Sequence, residues 1–153
     1  MKEFDLNNIF TDIPVSGNKD DALSKMARLF AKENGIDADE LTQGFRAREQ
    51  ESTTGFGNGV AIPHSKINGL KQSVVGIVTF TNPIEWQSLD EKPVEIAIAL
   101  IMPLDDPNKE HLTVLSKLAR KLMDDEFIKE LQDGRHDANS LYKVVTNAID
   151  FES

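Results

Sequence analysis

The spacing of apolar residues divides the chain into helical and extended blocks. Ile9, Phe10 and Ile13, within residues 5–14, read as a first strand. Ala22, Leu23, Met26, Ala27 and Phe30 recur on one helical face, with Asn18 or Asp20 as the cap and Gly35 just past the end. Asp37 with Glu40 three residues on opens a second helix that carries Leu41 and Phe45 and reaches about Glu51. Residues 52–59, with glycines at 55, 57 and 59, break the pattern. The period then changes. Val60, Ala61 and Ile62 form a short apolar run ending at Pro63, and residues 74–80 are β-branched and apolar, with a turn through Asn82 and Pro83. Residues 94–102 are almost continuously apolar, the mark of a strand buried on both faces. Leu112, Leu115, Leu118, Ala119 and Leu122 keep helical spacing over residues 109–123, opened by Asp105-Asp106-Pro107-Asn108. Two shorter helices follow, one capped by Asp124 or Asp125 and stopped by Gly134, the other over residues 138–148.

This order predicts an α/β fold, a three-layer α/β/α sandwich with a mixed sheet of about four to five strands. Its 153 residues suit a single domain spanning 1–153. With no cysteine, disulfides, thiolate metal sites and cysteine nucleophiles are excluded. No apolar run approaches the ~20 residues of a membrane span, and the N-terminus lacks the pattern of a signal peptide. The expectation is a cytoplasmic protein with no direct membrane insertion. A formal charge of −9, from 26 acidic and 17 basic residues, argues against a nucleic-acid partner.

Motifs for several chemistries are missing. There is no G-x-S-x-G elbow and no G-x-x-x-x-G-K-[ST] loop, and a strand rather than a helix follows the three glycines. Histidine remains. His64 follows Ile62-Pro63 at the end of a short strand, where open sheets place their sites, and the upstream glycines allow backbone to approach a ligand. A plain turn histidine fits that position too, and the residues alone leave both readings open. His111 falls in the first turn of the long helix, where the helix dipole favours a neutral imidazole and an anion. An incidental position near a cap is equally compatible. His136, in Asp133-Gly134-Arg135-His136-Asp137, reads as a solvated loop residue. Two histidines with no third ligand at a fixed offset are a weak zinc signal, so neither metal nor cofactor is expected. A histidine nitrogen can instead accept a phosphoryl group and pass it on, given an arginine or a helix N-terminus nearby. Arg46 and Arg48 stand just before the glycine segment.

Arg48-Glu49, followed by Ser52-Thr53-Thr54-Gly55-Phe56-Gly57-Asn58-Gly59-Val60-Ala61-Ile62-Pro63-His64, resembles the signature of the fructose/mannitol-type enzyme IIA domains of the bacterial phosphoenolpyruvate-dependent sugar phosphotransferase system. Asn108-Lys109-Glu110-His111-Leu112, running on through Leu115-Ser116-Lys117-Leu118-Ala119-Arg120, is similar to that family's second histidine segment. The likeness covers about residues 6–147. It implies a mixed sheet between helical layers. It also implies that His64 is phosphorylated by the phosphocarrier HPr and hands the group to an enzyme IIB domain, with His111 and Arg48 as supporting catalytic residues. A phosphotransfer component in the uptake of a fructose- or mannitol-like sugar is the first expectation. The alternative is a regulatory phosphoacceptor of the nitrogen-related branch, and a non-enzymatic scaffold is a minor third. Ser65 stands where many members have glycine, so the chain after His64 is expected to differ, because serine tolerates positive φ poorly. The HPr surface is expected around His64, with Phe56 and Ile67 as candidates for its apolar centre, Phe56 reading equally well as core, and with carboxylates kept to its rim.

Overall fold

The computed structural model describes residues 4–105 and 110–149, the side chains of Glu110 and His111 excepted. Its elements in chain order are β1 (Phe4–Ile13), α1 (Lys19–Asn34), α2 (Ala38–Glu51), β2 (Gly55–Gly57), β3 (Val60–Ala61), β4 (His64–Ile67), β5 (Val74–Ile84), β6 (Val94–Pro103), α3 (Glu110–Lys121), α4 (Asp125–Asp133) and α5 (Ala138–Ala148). The strands form one mixed sheet of six in the order β1-β5-β6-β3-β2, with β4 also on β6. The β1–β5, β3–β6 and β4–β6 pairs are parallel, and β5–β6 and β2–β3 are antiparallel.

Local chemistry sets the helix ends. The Asn18 side chain accepts from Asp21 N, Asp37 accepts from Asp39 N and Glu40 N, and Asp124 accepts from Glu126 N. Gly35 closes α1 in the left-handed conformation at φ 65°, its N–H bonded to Ala31 O. The cap of α3 is expected within residues 105–108, and of these Asp106, Pro107 and Asn108 lie outside the described residues.

Strand β6 is buried on both faces, as its unbroken apolar run predicts. Ile96, Ile98, Leu100 and Met102 join Val114, Leu118, Leu131 and Leu141 in the core beneath α3, α4 and α5. Ala97, Ala99 and Ile101 join Met26, Phe30, Leu41 and Phe45 in the core beneath α1 and α2. Small residues, Ala97 and Ala99 among them, stand between larger ones on the α1 side of the sheet. A Cβ at Gly76 in β5 would stand 2.2 Å from Phe30 Cε1, so α1 lies directly on that backbone.

Residues 55–61, read from the sequence as a breaker and a single strand, form a hairpin, which brings the sheet to six strands. Asn58 and Gly59 turn it at φ 57° and 82°. Two consecutive positive φ values are what a type I′ hairpin turn needs, and Asn-Gly is the pair that adopts them most readily. Asp90 braces this turn. Its Oδ2 accepts from Asn58 N at 2.9 Å and its Oδ1 from Lys92 N at 3.1 Å. Those backbone donors hold the Asp90 carboxyl below the ordinary aspartate range, the Asn58 contribution being the larger. A depressed folded-state pKa stabilises the fold above the unfolded-state value, and that contribution disappears as pH falls through the folded-state value. The stability difference between the protein and Asp90→Asn should therefore be largest above the unfolded-state aspartate value of about 3.9 and shrink as pH falls below it. Urea midpoints across that range check it, and a constant difference would contradict it.

Candidate functional site

His64 is the first residue of β4, which continues β3 along the same edge of β6. Val60 and Ala61 pair with Ile96 and Ala97, and His64 with Leu100, in one unbroken register. Between them Ile62 N faces β2 and extends the hairpin to Thr54 O at 2.9 Å, while the Pro63 carbonyl accepts from Leu100 N, also at 2.9 Å. Proline has no N–H to give, so this edge of the sheet lacks one ladder bond just before His64. The imidazole is half-buried, with its Nδ1 fully out of solvent.

A cavity of about 440 Å³ opens on this histidine. Its wall is built by Gly44, Ala47, Arg48 and Glu51 of α2, His64, Ser65 and Lys66 of β4, Met102 of β6, and Leu112 and Leu115 of α3. Arg48 is anchored in the last turn of its helix, where Nη1 donates to Ser52 O at 2.9 Å. Arg46 points elsewhere and makes a two-pronged pair with Asp20, at 2.7 and 3.0 Å. The structure therefore brings His64 and Arg48 to one cavity and separates Arg46 from it. His111 is the second residue of α3, next to Leu112 on the cavity wall, but its side chain lies outside the described residues. His136 is exposed and pairs through Nδ1 with Asp12 Oδ1. A larger cavity of about 650 Å³, bordered by Asn8, Asn34 and Glu40, holds neither histidine nor arginine.

Three expectations need correction. Ser65 does not take positive φ; it is an ordinary extended strand residue, and its buried hydroxyl donates to Leu41 O at 3.3 Å. Ile67 is 2% exposed within the core under α1 and α2, and Phe56 packs on the opposite core, so neither centres a contact surface. Strand alternation turns Ile67 inward; the exposed apolar residue beside the cavity is Leu112, 48% exposed, with Leu115 and Met102 behind it. Carboxylates are not confined to a rim either, because exposed Glu51 is part of the wall, with Lys66 on the same cavity.

The sequence reading also missed Gly44, whose role depends on a contact across elements. A Cβ there would fall 1.9 Å from Ser65 Oγ and 3.1 Å from Ser65 Cβ. The bare glycine lets α2 settle onto β4, which sets how near Arg48 comes to His64.

The chain belongs to the family described as "Phosphoenolpyruvate-dependent sugar phosphotransferase system, EIIA 2", which matches residues 3–148. It is 34% identical over 132 residues to a nitrogen regulatory protein of Klebsiella oxytoca, covering 86% of this chain and 80% of that protein. It is 32% identical over 128 residues to a fructose-like EIIA component of Escherichia coli, covering 82% and 86%. The solved nitrogen regulatory protein IIA-Ntr of Neisseria meningitidis superposes with a TM-score of 0.83 at 28% identity, over 95% of this chain and 97% of that one.

Gly44→Ala should disturb the cavity by driving α2 off Ser65, at a cost of about 1–3 kcal/mol in stability. Adding Ser65→Gly removes both side-chain contacts, after which the nearest contact is Lys66 O, at 3.4 Å. The double variant should recover most of the lost stability. Denaturant midpoints of the three proteins check this, and no recovery in the double variant would contradict it.

Proposed function

We propose that His64 is the phosphoacceptor of this domain, that its Nε2 carries the phosphoryl group, and that Arg48 and His111 support the transfer. The observation that carries the reading is the single cavity shared by His64 and Arg48. Because Nδ1 is buried, a phosphorus atom arriving through the cavity meets Nε2. The Nε2 lone pair attacks phosphorus, and the bond from phosphorus to the donor's histidine nitrogen breaks. That donor nitrogen leaves with the electron pair. The transferring group stays charged throughout, so catalysis rests on position and on neutralising its equatorial oxygens. Arg48, held at Nη1 by Ser52 O, offers the rest of its planar fork to those oxygens. His111, the second residue of α3, is the third residue of the proposed site. The donor is an HPr-type phosphocarrier, and its contact surface is the exposed apolar ground of Leu112 beside the cavity. The setting is cytoplasmic, and the chain works as one EIIA domain without metal or cofactor.

Two onward fates share this chemistry. The likeness to nitrogen regulatory proteins and to the solved IIA-Ntr favours a regulator whose phosphorylation state controls a target protein. The fructose-like EIIA component supports delivery to an enzyme IIB domain for sugar uptake. Incubation with phosphoenolpyruvate, enzyme I and an HPr-type carrier, read by intact mass, tests the shared chemistry. One acid-labile phosphoryl group should appear on the protein and none on His64→Ala. Arg48→Lys should be labelled more than about tenfold more slowly, since a point charge replaces a fork. Full labelling of His64→Ala would contradict the assignment. Transfer from the labelled protein to a IIB domain separates transport from regulation.

A further inference from the structure

We infer that Glu49 is a positioning residue for phosphotransfer, acting through Thr54 to fix Arg48 relative to His64. The inference rests on the reading of Arg48 and His64 given above. Glu49 follows Arg48 in the last turn of α2, yet it is not part of the cavity wall. Its side chain is 6% exposed. Each of its oxygens is committed. Oε1 accepts from Thr54 N at 2.7 Å and from Lys19 Nζ at 3.0 Å, and Oε2 accepts from Thr54 Oγ1 at 2.6 Å. A carboxyl buried this far needs every one of these partners in place, so it is a stiff joint.

The joint lies between the two halves of the site. Helix α2 has no glycine terminator: its last cap, Ser52, is extended at φ −171° and ψ 157°. The path of the chain out of the helix is therefore set by side chains. Thr54, clamped by Glu49, also accepts from the indole N–H of fully buried Trp86 at 3.2 Å, while Thr53 Oγ1 donates to Trp86 O at 3.2 Å. From the same residue, Thr54 O receives Ile62 N at 2.9 Å, two positions before His64. On the helix side, Arg48 Nη1 rests on Ser52 O in the segment that Glu49 pins. One route thus runs from Arg48 through residues 52–54 to Ile62 and His64, and Glu49 closes it. Lys19, reaching in from α1, balances the carboxylate so that it adds no net repulsion toward an incoming phosphate. A carboxylate two residues further on, Glu51, lines the cavity itself and so cannot serve as this joint.

The test is a double-mutant comparison in the full chain, measuring the rate of labelling from a phosphorylated HPr-type carrier as carrier concentration is varied. Glu49→Gln keeps the shape but turns one acceptor into a donor against Thr54. It should lower the maximal rate by about tenfold or more while the half-saturating carrier concentration stays within about twofold, because misplacement affects the transition state more than docking. In an Arg48→Ala background the same change should alter the rate by less than about twofold, since there is no guanidinium left to misplace. Thr54→Val should behave as Glu49→Gln does, and Thr54→Ser, which keeps the hydroxyl, should transfer at close to the parent rate. This pair decides the matter should Glu49→Gln fail to fold. Equal proportional losses in the Arg48 and Arg48→Ala backgrounds would overturn the positioning role alone. An Arg48→Ala protein as fast as the parent would overturn the role assigned to Arg48 and this inference with it.

Discussion

Strand β6 offers one hydrogen-bonding edge to two short strands in a single register, and the proline between them is what the functional end of the molecule depends on. Alternation carries residues 60–64 along that edge, with Val60 and Ile62 in the core beneath α3, α4 and α5 and His64 next in the same alternation. Pro63 lacks the N–H that one ladder bond needs, while its carbonyl still accepts from Leu100 N, and Ile62 N pairs on the other side with Thr54 O. The histidine therefore stands where the edge loses one bond and the apolar run ends. Its backbone is fixed by β6, which is buried along nearly its whole length, while its half-buried ring lines a cavity. A rigid support under a reacting side chain lowers the reorganisation needed when it reacts.

The opposite wall of the cavity depends on how closely α2 approaches. Ala97 and Ala99 under the helices, and Gly44 over Ser65, remove the side-chain volume that would hold α1 and α2 away from the sheet. Close packing then turns a local substitution into a displacement of the wall, because interiors transmit strain instead of absorbing it. Ser65 belongs to this economy of space. Its hydroxyl fills the volume a Cβ at Gly44 would need and bonds to Leu41 O, so this serine is accommodated by the helix above it. The charge pattern is also local. The chain is acidic by nine charges, but the buried acid next to Arg48 is matched by Lys19, and the acid on the cavity wall is exposed to solvent.

Features decided by a few neighbouring residues were legible in the sequence. The caps at Asn18 and Asp37, the stop at Gly35 and the doubly buried strand at residues 94–102 follow from local hydrogen bonding and from the period of apolar positions. So does the end of the short strand before Pro63, since proline restricts the chain on both sides of itself. What depends on partners far along the chain was not. Asn58-Gly59 was read as a break because the strands it joins are too short to show alternation. Ile67 was assigned to the surface from its nearness to His64 in sequence, although the strand period turns it inward. Glu49 stood in the motif beside Arg48, but its role was not legible: its partners are Lys19, 30 residues earlier, and Thr54, which in turn reaches Trp86, 32 residues further on.

The central claim is that the geometry around Pro63 presents one nitrogen of one histidine to a phosphoryl donor. Long-range ¹H–¹⁵N correlation spectra of the histidine rings, before and after labelling through phosphoenolpyruvate, enzyme I and an HPr-type carrier, test it most directly. The account predicts a phosphorus coupling and a shift at Nε2 of His64, with no phosphorus coupling at His111 or His136. Coupling at Nδ1 of His64, or at either other histidine, would contradict it.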